Sequence, residues 1–139
     1  MTNRSLDLIR IRPNHMTTTI NAEMSPDERF QNLTLRPVIK FQHDLLIAAF
    51  KNYAKKHKGV FYDLTLDKRI DYIENAIHKD MKFRNSLKGM VIGAFTVEEY
   101  ELYIQNSSNL NKRMMGIVKN RLIDNIQLLS RSSSTLEAV

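Results

Sequence analysis

An all-α fold is predicted for this sequence of 139 residues, on three observations. Apolar residues recur at spacings of three and four over most of the chain, the period of a helix with one buried stripe. Two stretches, Ser25-Pro26-Asp27-Glu28 and Thr96-Val97-Glu98-Glu99, carry the hydroxyl-x-x-glutamate pattern that satisfies the unpaired amides of a helix N-terminus. Gly 4 and Pro 3 are too few for the many turns of a sandwich or barrel. The expected architecture is an antiparallel bundle of about four helices, two long and two short, over residues 25–129. A mobile leader, 1–24, and a disordered tail, 130–139, would flank it.

The leader expectation rests on Thr17-Thr18-Thr19, the Pro13-Asn14 turn signal and the lack of a helical period. Leu6–Arg12 would pair as a short strand only if another element offered an edge. No uninterrupted apolar h-region appears, so a secretory signal is not expected. Arg4, Arg10 and Arg12 point faintly to a transit peptide, but Asp7 opposes it. Met16 and Met24 are alternative starts.

The first helix should open at Pro26, where proline at the first helical position needs no amide partner. Phe30, Leu33, Val38, Phe41, Leu45, Ala48 and Ala49 continue it to Lys58-Gly59, glycine suiting a left-handed C-terminal position. Pro37 removes a donor, so a kink near Arg36 is expected. Leu66, Ile70, Ile73 and Ile77 give the narrow stripe of a second helix, which shifts phase around Asp80. Phe83, Leu87, Met90, Val91 and Ala94 define a third. The last should run from Thr96 to Leu129, with a weak point at Asn106-Ser107-Ser108-Asn109, where side chains compete for backbone hydrogen bonds.

The absence of cysteine excludes a disulfide framework, a thiolate zinc site, an iron–sulfur cluster and a cysteine nucleophile. It fits a reducing compartment, and a cytoplasmic location is expected. No apolar run approaches the ~20 residues of a membrane span. The formal charge is +6, and the basic and acidic residues of 1–29 cancel, so the excess lies in 30–139. Lys51, Lys55, Lys56 and Lys58 form one acid-free run, and Lys112, Arg113, Lys119 and Arg121 another. Such a face permits nucleic-acid binding without requiring it.

Candidate sites are sparse. Gly89 and Gly93 share a helix face and would let a neighbouring backbone approach closely. No metal site is assigned; the constellation to weigh is Glu74 and His78 at i, i+4, with His43 from the first helix. Its spacing differs from the Glu-x-x-His of di-iron bundles, and an ordinary surface pair explains it as well. No serine elbow surrounds Ser86, Ser107 or Ser108. Arg84, Asn85 and Ser86, with Asn106 and Ser107, interrupt faces expected to be apolar and would form a polar layer or pocket if they met. Met90, Met114 and Met115 fill the core or line an adaptable groove. No cofactor is expected.

Leu35-Arg36-Pro37, Phe83-Arg84-Asn85-Ser86-Leu87-Lys88-Gly89-Met90 and Tyr103-Ile104-Gln105-Asn106-Ser107-Ser108 resemble a family of small, uncharacterised bacterial helical proteins. The resemblance covers roughly residues 28–129. Some members are labelled glyoxalase. The alternating strands of the glyoxalase I modules and the HxHxDH cluster of the glyoxalase II hydrolases are not found here, so no catalytic residue is carried over.

The expected role is therefore binding or self-association through helix faces rather than catalysis. Ile39, Leu46, Ile47, Leu102 and Ile123 lie outside the main stripe and would be covered in a homodimer. The alternatives are a metal-dependent bundle enzyme using His43, Glu74 and His78, and a nucleic-acid-binding protein using the lysine run.

Overall fold

The computed structural model describes residues 1–13 and 21–130. Every element there is helical: α1 (Asn3–Ile11), α2 (Pro26–Phe30), α3 (Arg36–Phe41), α4 (His43–Lys56), α5 (Leu66–Lys79), α6 (Met81–Ile92), α7 (Val97–Tyr103) and α8 (Ser107–Asp124). A π-helical turn, Gln31–Leu35, joins α2 to α3, and 3-10 turns occupy Val60–Asp63 and Ile126–Leu129. No helix among the described residues is long and apolar enough to cross a membrane.

The all-α expectation holds, but the division into about four helices does not. The first expected helix is three segments. Pro37 cannot donate to the carbonyl four residues earlier, and the backbone answers with a wider turn in which the Arg36 N–H bonds the Gln31 carbonyl. A second change of direction falls at Gln42, whose side-chain amide donates to the Met90 carbonyl at 2.7 Å. The chain ends this run at Lys58 and Gly59, both left-handed at φ 65° and 67°. The last expected helix is also divided, at Ile104–Asn106, directly before the Ser107-Ser108-Asn109 run.

Local signals account for most other boundaries. Ser25 Oγ accepts from Glu28 N, and Thr96 and Glu99 close a complete capping box. Asp80 separates α5 from α6 and caps α6 by accepting from Phe83 N at 3.2 Å. The core is built around α8, which packs against α4, α5 and α6. Leu110, Met114, Met115, Val118 and Leu122 of α8 are buried, among Leu35, Ile39, Leu46, Phe50, Ile73, Ile77 and Leu87. Met114 and Met115 are thus core filling.

The leader expectation is corrected for residues 3–11, which form a helix capped by Thr2. Distant polar partners hold it. Arg4 donates to the carbonyls of Phe95 (2.9 Å) and Gly93 (2.8 Å), and Arg12 to that of Ala94 (2.8 Å). These carbonyls follow α6, where a helix end favours cations. Arg12 also grips both oxygens of Glu99, at 2.6 and 2.5 Å. The Thr17–Thr19 run and the residues of the tail from 131 on lie outside the described residues.

Candidate functional site

Two helices and a helix junction form a depression among the described residues. The last two turns of α4 present Ala49, Asn52, Tyr53, Lys56 and His57. The N-cap and first three turns of α6 present Asp80, Lys82, Phe83, Ser86 and Met90. They enclose a groove of about 410 Å³. That volume lies within the range of small-molecule sites.

The groove wall is a stack of rings. The centroids of Tyr53 and His57 are 4.0 Å apart with planes 30° from parallel; those of Tyr53 and Phe83 are 4.1 Å apart at 27°. Two rings at such distances and tilts cannot share a face of Tyr53, so the order is His57, Tyr53, Phe83. Helical spacing places His57 one turn after Tyr53. The His57 Nδ1 donates to the Tyr53 carbonyl at 2.8 Å. Only a protonated Nδ1 can do so, which leaves Nε2 as the other ring nitrogen.

Tyr53 joins the two sides of the groove. Its hydroxyl donates to Asp80 Oδ2 at 2.9 Å, while Asp80 Oδ1 accepts from Phe83 N. Burial, together with the hydrogen bond and the charge of Asp80, pushes the Tyr53 phenol up to about 12. The Phe83 N–H and the Tyr53 hydroxyl hold the Asp80 carboxyl below its usual range. The carboxylate is thus committed to structural donors. Lys56 and Lys82 are cations on a lining that also carries apolar Ala49 and Met90. Across the Tyr53–Asp80 contact lies a broader depression lined by Tyr72, Asn75, Lys79 and Met81.

The residues singled out from sequence are distributed differently from expectation. His43, Glu74 and His78 do not converge, and among the described residues no group of three or more metal-capable side chains forms. Each meets a cation instead. Arg121 donates to His43 Nδ1 at 3.2 Å, Arg84 to His78 Nδ1 at 3.4 Å, and Lys119 lies 3.9 Å from Glu74. Burial and the charges of Lys119 and Arg84 lower the His78 pKa. Gly89 is not a crossing point: a Cβ there would meet nothing within 4 Å. Gly93 ends α6, and its carbonyl receives Arg4.

The two polar clusters do not form a layer. Arg84 turns to the Ile77 carbonyl and His78, Asn85 is exposed, and Ser86 lines the groove. Asn106 donates to Asp27 Oδ2 at 2.7 Å, and Asn109 donates to the same oxygen. Ser107 opens α8. Asn106 also edges a second depression, of about 530 Å³, where Leu33 and Leu102 are exposed beside buried Phe30 and Leu110. Of the five apolar residues expected to need a partner subunit, Ile39, Leu46 and Ile47 are buried in the chain's own core and Ile123 packs against it. Leu102 stays 57% exposed.

Nothing in the sequence distinguishes Tyr53, Asn52 or Lys82, and Asp80 and Phe83 read there only as a helix break and a core position. The available signal was Asp80-x-x-Phe83, a capping pattern, with Tyr53 and His57 one turn apart. No family model, curated protein or solved structure matches the chain.

Proposed function

We propose that this is a non-catalytic helical binding protein and that the groove between α4 and α6 is its ligand site. The observation that carries this is convergence. An apolar floor of Ala49, Phe83 and Met90 is bordered by Asn52, Ser86, Lys56, Lys82 and His57 in one concavity. Small-ligand sites share that composition, a mostly apolar lining with a few placed polar groups. Catalysis is not supported by the same residues. The groove's carboxylate is held by Tyr53 and a backbone amide, and among the described residues no hydrogen bond joins Ser86 to a basic side chain.

A fragment screen by ligand-observed NMR tests the reading. Hits should compete with one another and lose binding in Ser86→Trp, which fills the groove from an exposed position. Hits unaffected by that substitution would place binding elsewhere.

Self-association is a second reading, favoured by the exposed Leu33 and Leu102 around the second depression. A second copy of the chain would cover them, and light scattering should then report a dimer that Leu102→Glu dissociates. A monomer at all concentrations would contradict it. The nucleic-acid alternative has less support. Lys55 and Lys56 lie in the last turn of α4, where the helix end itself favours cations, and Lys56 borders the groove.

A further inference from the structure

Building on the reading of the α4–α6 groove as a ligand site, we infer that its ligand is an aromatic carboxylate of one or two rings. Charge supplies the first half of the inference. Lys56 and Lys82 border the groove, and the carboxylate that lines it, Asp80, is already engaged at both oxygens, by Tyr53 at 2.9 Å and Phe83 N at 3.2 Å. Among the described residues neither Lys56 nor Lys82 forms an ion pair, so an incoming anion meets attraction at a concave, partly apolar surface.

Shape and lining supply the second half. The two lysines belong to different helices, α4 and α6, near the Tyr53–Asp80 contact, and Ala49 and Met90 lie about two turns further along those helices. A compact anion such as phosphate would contact the cations and leave that floor uncovered. Here a ligand has to carry apolar area as well as charge. The His57–Tyr53–Phe83 stack and the Met90 thioether favour a ring over an alkyl chain, since ring–ring and sulfur–ring contacts add to simple area burial. The volume of about 410 Å³ accommodates a two-ring system. Asn52 and Ser86 lie on the lining as neutral hydrogen-bonding groups for a ring substituent or the second carboxylate oxygen.

Calorimetric titration of the full chain with four probes tests this: 2-naphthoate, its neutral analogue 2-naphthamide, decanoate and inorganic phosphate. The expected order places 2-naphthoate first, with the amide weaker by about tenfold, the loss of one favourable charge contact. Decanoate should be weaker by roughly two- to tenfold and phosphate undetectable. Replacing both lysines (Lys56→Gln with Lys82→Gln) should erase the difference between naphthoate and naphthamide while leaving amide binding in place. Equal binding of acid and amide to the unaltered protein, or tighter binding of decanoate, would overturn the ligand class and leave the groove as a binding site. Binding of none of the four would overturn both the class and the groove reading. Ser86→Trp serves as the control that any binding observed occurs in the groove.

Discussion

The Tyr53 hydroxyl donates to Asp80 Oδ2 across 2.9 Å, joining positions 27 residues apart. The same carboxylate caps α6 through its other oxygen, so one side chain both starts a helix and anchors its neighbour. Tyr53→Phe should cost about 1 kcal/mol of stability, the net worth of a single hydrogen bond. The phenol ordinarily titrates at 10.0 and here near 12. Because the folded value is raised, the contribution is fully present below pH 10 and lost as pH rises towards 12. Ultraviolet titration of the folded protein should show a late-ionising tyrosine that Tyr53→Phe removes. An unchanged titration would show that Tyr53 does not hold this bond.

Arg12 and Glu99 make a corresponding link between α1 and α7. Their side chains are 7% and 15% exposed, and Thr96 N–H (2.8 Å) and Thr34 Oγ1 (3.1 Å) also donate to Glu99. Removing one partner strands a buried charge, so Arg12→Ala should cost about 3–5 kcal/mol in urea denaturation. Arg12→Ala with Glu99→Gln should recover part of that loss. A cost below about 1 kcal/mol, the worth of a surface pair, would mean that α1 is not held as described.

Acid should act through the same pair. Burial raises the Glu99 pKa, but the Arg12 hydrogen bonds, the Thr96 N–H and Thr34 outweigh it, and the carboxyl is held below its ordinary 4.5. The unfolded chain then binds more protons, so this stabilisation is present above pH 4.5 and lost as pH falls through the folded value. Glu99→Gln should flatten the decline of stability below pH 4.5. An equally steep acid limb in the variant would assign the decline to other carboxylates.

Gly89 offers a test with a clear sign. It lies inside α6 with open space where a Cβ would stand. Gly89→Ala should stabilise the protein by up to about 1 kcal/mol, through helix propensity alone. Close packing of a neighbouring backbone on Gly89 would instead make the substitution destabilising.

These residues also show which parts of the fold were legible in the sequence. Helix starts at Pro26 and Val97, the break at Asp80 and the stop at Gly59 depend on neighbours within a few positions, and each could be read there. Helix α1 has a local cap, Thr2 accepting from Ser5 N, but its docking is not local. Its arginines find carbonyls 82 to 91 residues away, which no neighbouring residue announces. Division of the first helix at the π turn follows from Pro37, whereas the break at Gln42 coincides with a tertiary bond to Met90. The groove was hidden for a similar reason. Residues 49–57 and 80–90 each read as an ordinary helix segment, and only packing places the Tyr53 ring between His57 and Phe83.

Amide chemical-shift mapping with 2-naphthoate tests the groove as a binding site most directly. Perturbations should concentrate at Asn52, Lys56, Lys82 and Ser86 and disappear in Ser86→Trp. Perturbations centred on Leu33 and Leu102, or none at millimolar probe, would contradict it.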